Sequence, residues 1–403
     1  MKRFFVPILT LVFLGFIYGL YLNRFSIQIT DQSITSSHPE YFFDYKGVTH
    51  LPTDRSTGNT EFKQIISDAQ YADLDFIILT ELNDFQQSQS REAYYNRLLL
   101  LEGKKYSYLN SRVIVYRKQF NKAFQNSDSV NSHLADMLSR SEHEPKDGSF
   151  ILAHPLKPGF KWHGEIPVGF DGVEVINLKR LWQEAWQRSK ASFLWSLYAY
   201  PFNSELALLR LYKRPKQELE MWDKLNIKNF IAGYAGTEAD TKIKFGPNKF
   251  FNVPSNKTLL NFFTNHVLLR SELTGHFEND KAKILQALHR GQFYMSLDLI
   301  SNPKGFNFYA KSKNDVYTMG EKISLKHKPV LKVVLSQKPK VPYEVIIYRN
   351  GVRVLTSNSL NTELYLHLKG SYRAEVRVAP TLPLPDGKNW ITWIYTNPLH
   401  VID

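Results

Sequence analysis

The sequence predicts an α/β fold built on a parallel sheet or barrel, followed by a smaller all-β domain. From Tyr45 to about Ala310, short apolar runs alternate with longer amphipathic stretches, which is typical of strands and helices in a parallel sheet. After Tyr309 the pattern changes to an alternation of apolar and polar residues, which indicates antiparallel strands and a β-sandwich. The length of 403 residues is enough for both domains.

The first element is an N-terminal apolar segment. Residues 4–22 are uncharged, and nineteen residues at 1.5 Å rise come close to the thickness of the bilayer core. Lys2 and Arg3 favour a cytoplasmic N-terminus, although Arg24 follows closely. The run ends in bulky residues (YGLYLNRFS) and lacks the small-residue cleavage site of a signal peptide. We therefore expect residues 1–23 to be an uncleaved signal anchor rather than a cleaved signal.

With either kind of signal, the chain from about residue 30 lies outside the cytoplasm, in the periplasm of a Gram-negative host. Residues 24–44 are polar and irregular and are expected to form a stalk. The barrel is assigned to residues 45–312 and the sandwich to residues 313–403.

The barrel region begins with a strand at residues 47–50 (GVTH), a helix at residues 61–72 and a buried strand at residues 75–80 (DFIILT). Further strands are predicted at residues 112–116, 150–153, 172–176 and 230–232. Residues 189–212 are rich in Leu and aromatic residues, but Pro201, Asn203 and Glu205 interrupt them. They are predicted to form two packed helices rather than a membrane span.

The sandwich region contains five runs of alternating residues and one strong hairpin signal. The runs are residues 331–335, 343–348, 363–368, 372–378 and 390–395. Between the second and third runs, Asn350-Gly351 supplies the positive φ angles that a two-residue hairpin turn needs.

Composition limits the chemistry. There are no cysteines, which excludes disulfides, a thiol nucleophile, an iron–sulfur cluster and a cysteine zinc site. Any metal would have to bind to His, Asp and Glu. The net charge is +13, which permits anionic partners without selecting one. Because there is no zinc finger, RNA-binding signature or compact basic block, no nucleic-acid partner is expected.

Five polar residues follow the predicted strands, at the positions where a barrel enzyme has its catalytic groups. They are His50, Glu81, His154, Glu238 and Asp240. Each alone is more often structural, but five at strand ends indicate a site.

The strings that contain these residues resemble the motifs of the polymerase-and-histidinol-phosphatase (PHP) superfamily. GVTHLPTDRSTGNTEFKQIISDAQYADLDFIILTELND has the spacing of its His-x-His, Ser-Asp-Gly and Thr-Asp-His motifs. ILAHP with DGVEVINL matches the middle of the pattern, and AGTEAD its end. GSYRAEVRV and WIYTNPLHV look like the β-sandwich of one extracytoplasmic branch. The resemblance implies a distorted seven-stranded β/α (TIM-like) barrel and metal-dependent phosphoesterase activity.

The motifs are degenerate at several ligand positions. Pro52 replaces the second His of His-x-His, and Thr57 replaces the Asp of Ser-Asp-Gly. The Asp-His pair becomes Glu81 and Leu82. In the last motif Glu and Asp, at positions 238 and 240, replace Asp and His, whereas the motif histidines His50 and His154 remain.

The resemblance also implies a bridging Glu and a following His within LLLLEGKKYSYLNSRVIVYR. The closest match places Lys105 on the Glu and Arg112 on the His, and a shift of the alignment would make Glu102 the carboxylate. If Lys105 and Arg112 point inward, they bring positive charge to the place of a metal ligand, and the ion cluster becomes a salt-bridge network.

Two functions follow. The first is a barrel without a metal cluster, which binds an anionic or phosphorylated ligand or an envelope partner, or has a structural role in the cell envelope. The second is an active hydrolase with one divalent ion (Zn, Mn or Fe) on the residual ligands His50, Glu81, His154, Glu238 and Asp240. In that enzyme Arg112 or Lys105 would be catalytic and would steady a phosphoryl oxygen. We favour the first, because the loss of several ligands removes tight metal binding.

Overall fold

A computed structural model describes most of the chain. The described residues are 2–31, 41–58, 60–84, 89–117, 126–140, 148–238, 243–244, 250–251, 254–313 and 315–403. They form nine α-helices: α1 (Lys2–Asn23), α2 (Phe62–Tyr71), α3 (Ser127–Ser139), α4 (Leu178–Arg188), α5 (Lys190–Ala199), α6 (Ser204–Leu211), α7 (Lys216–Lys228), α8 (Asn256–Leu260) and α9 (Phe277–His289).

The strands divide into two groups along the chain. The first group is β1 (Phe43–Leu51), β2 (Phe76–Leu82), β3 (Ala93–Tyr95), β4 (Leu98–Tyr108), β5 (Ser111–Tyr116), β6 (Ser149–Ala153), β7 (Gly172–Asn177), β8 (Ala232–Gly236), β9 (Ile243–Lys244), β10 (Phe250–Phe251), β11 (Thr264–Leu269) and β12 (Phe293–Ser296). The second is β13 (Asn307–Ser312), β14 (Asp315–Thr318), β15 (Lys322–Ser324), β16 (Val330–Val334), β17 (Tyr343–Arg349), β18 (Val352–Ser357), β19 (Asn361–Tyr365), β20 (Gly370–Val378), β21 (Thr381–Leu382), β22 (Gly387–Lys388), β23 (Ile391–Thr396) and β24 (Leu399–Ile402).

Seven strands close into a barrel in the order β1-β2-β4-β5-β6-β7-β8, and β8 pairs with β1 through Gly236 and Thr49. The pairs β4–β5 and β5–β6 are antiparallel, and the other five are parallel. The expected α/β class and seven-stranded barrel are confirmed. The uniform direction of a TIM-like β/α barrel is not, because the short hairpin Leu109-Asn110 returns β5 against β4.

Periodicity located most barrel elements. Helix α2 buries Ile65 and Ala69, four residues apart, as an amphipathic helix on a sheet should. The predicted strand at residues 230–232 is displaced, because the observed β8 begins at Ala232 and continues through GYAG. Gly233 fits there because its missing side chain leaves room for the ring of Trp222, whose atoms lie within 3 Å of an added Cβ.

The barrel sheet continues into the C-terminal sandwich. The first half of β1 pairs with β11, and its second half pairs with β2 and β8. From β11 the sheet runs through β12, β23 and β20 to β17 and β18. The second sheet of the sandwich has the order β14-β13-β16-β19. The predicted Asn350-Gly351 hairpin turn is confirmed between β17 and β18, with both residues at positive φ.

The N-terminal helix contains one segment, Val6–Asn23, that is long and apolar enough to be a membrane anchor or a signal sequence. Its continuation is packed against the protein, since Ile27 and Ile29 are buried within the expected stalk. The backbone of Ile29 bonds to Ile300 and Lys340. Residues 189–212 form the two helices α5 and α6, as predicted.

Candidate functional site

The candidate site lies where the parallel strands of the barrel end. His50 is near the end of β1, His154 follows β6 and Glu238 follows β8. Lys105 lies near the end of β4, and Arg112 lies at the start of the antiparallel β5, so both reach the same end. The barrel thus brings four motif positions and one strand-start arginine to one rim.

His50 is held from both ring nitrogens. Its Nδ1 is bonded to Glu174 Oε1, and its Nε2 lies 3.0 Å from Lys105 Nζ. All three side chains are buried. Since an ammonium has only protons to offer, Lys105 donates to Nε2 and Nδ1 carries the proton shared with Glu174. Both ring nitrogens of His50 are therefore bonded to other side chains.

Glu174 Oε2 also binds the backbone. It accepts from the His154 amide at 2.8 Å and from Asn177 Nδ2 at 3.2 Å. Burial acts to raise the pKa of Glu174, but the His50 ring lowers it below its usual value. Glu174 is an ionised carboxylate that joins the two motif histidines.

Glu238 is the second carboxylate of the site. Lys157 Nζ lies 3.2 Å from Oε2, Lys179 Nζ 3.9 Å from Oε1, and Asn177 Nδ2 3.1 Å from Oε2. Burial acts to raise the pKa of Glu238, and the histidines, Lys105 and Lys157 outweigh it and hold the pKa far below its usual value. The carboxylate is ionised and its charge is compensated by side chains.

His154 differs from His50. Burial lowers the pKa of His154 to about 4, against the opposing effect of Glu238, so the ring is neutral near pH 7. Its Nε2 lies 3.8 Å from Glu238 Oε1, and its buried Nδ1 has no hydrogen-bond partner among the residues that the structure describes. The ring centroids of the two histidines are 6.1 Å apart.

The backbone of the site is strained at three side-chain-bearing residues. His50, His154 and Glu238 have φ of 60°, 34° and 40°, in the left-handed region that non-glycine residues rarely adopt. Strain of this kind collects where a side chain must point in a defined direction, as at functional sites. Gly236 permits the close approach, because an added Cβ would overlap Glu174 Oε1.

The rim of the site is cationic and aromatic. The Arg112 guanidinium lies 4.4 Å from the ring centre of Phe160, and Lys157 Nζ lies 5.5 Å from the same ring. Burial lowers the pKa of Arg112 from its ordinary value, an effect that the charge of Glu238 opposes. The four cations Lys105, Lys157, Lys179 and Arg112 thus surround the two carboxylates Glu174 and Glu238.

Two further sequence candidates, Glu81 and Glu102, have other partners. Glu81 accepts hydrogen bonds from the hydroxyls of Thr53 and Ser56, so it holds the loop after β1. Glu102 accepts from Ser90 Oγ at 3.1 Å and the Arg91 amide at 3.2 Å, on the opposite face of β4 from Lys105. Asp240 lies outside the described residues.

Four contributors to the site were missed at the sequence level: Glu174, Asn177, Lys157 and Lys179. Glu174 had a usable signal, since a carboxylate in the apolar run GVEVIN needs a buried partner. The two lysines had none, because isolated lysines in loops and helices are ordinarily solvated.

The described residues do not fit the metal cluster that the motifs imply. No group of three or more His, Asp or Glu side chains among them is arranged to hold a metal ion. His50 uses Nδ1 for Glu174 and Nε2 for Lys105, and Glu238 is surrounded by lysines. The donors that a cation needs are already bonded to protein cations and N–H groups.

Comparison with solved structures finds similar chains. The chain resembles a two-domain protein containing a predicted PHP-like metal-dependent phosphoesterase from Bacteroides vulgatus ATCC 8482. The two are 12% identical, the match covers 90% of this chain and 98% of that one, and the TM-score is 0.36. The closed seven-stranded barrel is consistent with a PHP-type fold. No family model and no curated protein sequence matches the chain.

Proposed function

We propose that this protein is a membrane-anchored, extracytoplasmic PHP-type barrel that binds an anionic ligand with side-chain cations in place of metal ions. The ligand class that its donors fit is a phosphorylated small molecule. The observation that carries the proposal is the 3.0 Å contact between Lys105 Nζ and His50 Nε2. In this contact the lysine donates a hydrogen bond to the histidine nitrogen that a metal ion would require as a ligand.

The charge at the site favours an anion. Among the described residues, the four cations named above exceed the two carboxylates, and three of the cations are lysines that can each donate in several directions. In a partly dehydrated barrel, a surplus of positive charge attracts an anion more strongly than at an open surface. Arg112 at the rim has the planar fork that suits phosphate oxygens.

Binding of inorganic phosphate to the chelator-treated full chain in detergent tests the proposal. We expect calorimetric titration to show binding without added metal, and Lys105→Met to weaken it at least tenfold. Lys104→Met is the matched control, because the neighbouring Lys104 points to the other face of β4 and pairs with Asp84 at 3.3 Å. Equal affinity in the wild type and K105M would contradict the proposal.

One observation favours a second candidate, a hydrolase with a single divalent ion. The neutral His154 ring has a buried Nδ1 to which no described residue is bonded, and an imidazole nitrogen of this kind can bind zinc, manganese or iron. This candidate requires phosphomonoester or phosphodiester hydrolysis that depends on added metal and is lost in His154→Ala. Phosphate binding without hydrolysis, and unaffected by metal, would exclude it.

A further inference from the structure

The helix that follows α4 exposes two leucines and a tyrosine to its surroundings. On α5 the exposed positions include Leu194, Leu197 and Tyr198, whereas Ser196 and Ala199 are buried. A helix packed on a soluble barrel should show the reverse pattern, with leucines inward and serine outward. Leu194 is 56% exposed, which is a large fraction for a leucine on a regular helix.

The exposed side of α5 adjoins the apolar N-terminal helix. The Tyr198 hydroxyl donates to the Gly15 carbonyl, and the Tyr198 and Tyr18 rings stack at 6.2 Å. Phe202 packs edge-on against Phe16 at 6.3 Å. These contacts fix the position of α5 along α1.

That position is within the apolar part of α1. Gly15 lies eight residues before the end of α1 at Asn23, which at 1.5 Å per residue is about 12 Å along the helix. Asn203, by contrast, donates to the carbonyls of Leu22 and Phe25, at the end of the apolar segment. The C-terminal part of α5 therefore lies beside residues that a membrane-spanning α1 would place inside the bilayer.

A second, separate part of the chain contacts the apolar part of α1. Tyr18 donates its hydroxyl to the Leu384 carbonyl, in the turn between β21 and β22 of the sandwich. The Leu384 side chain is 77% exposed. Two elements from different domains thus carry exposed leucines beside the C-terminal half of α1.

We propose that α5 and the β21–β22 turn insert into the membrane leaflet that α1 enters. The folded part of the protein would then contact the lipid directly, in addition to being anchored by α1. The occupant of this surface is lipid hydrocarbon, because the surface continues the apolar face of α1 without a break at Tyr198 and Tyr18. Trp186, which is exposed and packs on Phe193 at 5.4 Å, and the neighbouring Lys190 suit the headgroup region.

Depth-dependent quenching in lipid vesicles tests this surface, and the absence of native cysteine makes single-cysteine labels specific. Full-length L194C, L197C and L384C carry a fluorophore in phosphatidylcholine vesicles. Nitroxide-labelled lipid and aqueous iodide serve as the two quenchers. Lipid quenching at least threefold stronger than for L109C supports the proposal. Leu109 is 68% exposed at the site end of the barrel and serves as the aqueous control.

A further label separates this surface from the anchor itself. L11C lies in the exposed apolar part of α1 and reports whether that helix is in the bilayer. Lipid quenching at L11C with iodide quenching at positions 194, 197 and 384 would overturn the proposal. Protection of the three positions from both quenchers would also overturn it, because a protein partner would then cover them. Iodide quenching at L11C would show that α1 is not in the bilayer. That result would contradict both the membrane anchor and this proposal.

Discussion

Two buried histidine networks in this molecule have similar components and opposite properties. One is the barrel site around His50 and His154. The other lies where the barrel meets the sandwich, around His266 on β11. There His266 Nδ1 is 2.8 Å from Asp44 Oδ1, and Nε2 is 3.2 Å from both carboxylate oxygens of Asp298. We call this second set the junction network.

The charged groups of the junction network are paired with one another. Asp44 also accepts from the Tyr294 hydroxyl at 2.6 Å and the Gly305 amide at 3.0 Å, and Lys46 lies 3.3 Å from Asp298. Burial acts to lower the pKa of His266, but the two carboxylates raise it to about 9, so the ring is charged. Its backbone is regular strand and its polar atoms are paired.

The barrel site differs from the junction network in the charge of its histidine, in its backbone conformation and in its balance of cations and carboxylates. Its His154 is neutral, and its backbone has positive φ at His50, His154 and Glu238. Within the described part of the chain, the Nδ1 of His154 has no bond and the cations of the site outnumber its carboxylates. The comparison shows that burial and charge alone do not mark a functional site. Among the described residues, backbone strain, the His154 Nδ1 without a bond and the excess of cations over carboxylates distinguish the barrel site from the junction network.

The largest predicted effect is at the junction network. His266→Leu leaves Asp44 and Asp298 buried without their charged partner, so the free energy of unfolding should fall by about 3–5 kcal/mol. Urea unfolding of the full chain measures it. The matched change His154→Leu should cost about 1 kcal/mol or less, because a neutral ring without a bond at Nδ1 is removed. Equal losses in the two variants would contradict the distinction.

The second effect is a pH dependence with a defined sign. The folded protein binds the His266 proton more tightly than the unfolded chain, whose histidine pKa is near 6.5. The stabilisation is complete below about pH 6.5 and is lost as the pH rises through about 9, a change of roughly 3 kcal/mol. Urea unfolding of wild type and His266→Leu across this range isolates the contribution. Parallel pH profiles would show that His266 is not charged.

Arg112 tests the charge surplus at the barrel site. Because the guanidinium is half-buried at the rim, Arg112→Met should weaken phosphate binding roughly three- to tenfold, less than Lys105→Met. Titration at two salt concentrations should show a weaker salt dependence in the variant, since one charge is gone. An unchanged affinity would place Arg112 outside the ligand site.

The smallest effect is predicted for Glu81. Its carboxylate holds the loop at Thr53 and Ser56, so Glu81→Gln should lower the unfolding free energy by about 1 kcal/mol. Phosphate affinity should stay within twofold of wild type. A loss of binding in E81Q would show that Glu81 belongs to the site, as the motif resemblance implies.

Particular residues show what the sequence could predict. The run DFIILT and the Asn-Gly turn each fix local structure through burial or φ, and both were located correctly. The predicted position of strand β8 was too early in the chain, because the small residues of GYAG do not by themselves indicate a strand. The strand is stabilised there by the packing of Trp222 on Gly233, which is a tertiary contact. The same limit applies to β4, whose string LLLLEGKKYSY contains Gly and three charges yet pairs along its full length with β2 and β5.

The candidate site was only partly predictable for a different reason. His50, His154 and Glu238 stand at motif positions, and the contact between Lys105 and His50 agrees with the alignment that places Lys105, rather than Glu102, on the bridging Glu. The network around Glu238 depends on Lys157, Lys179 and Asn177, which come from a loop and the start of α4. Their convergence is a tertiary property that no spacing along the chain encodes.

The central claim is that side chains compensate the charge of the site carboxylates. The metal content of the protein tests this claim most directly. Elemental analysis of the purified full chain, with phosphate titration of the same sample, measures it. We expect substoichiometric zinc, manganese and iron, and phosphate affinity that chelator treatment leaves unchanged. Stoichiometric metal that is lost in His154→Ala, with phosphate binding that disappears on chelation, would contradict the account.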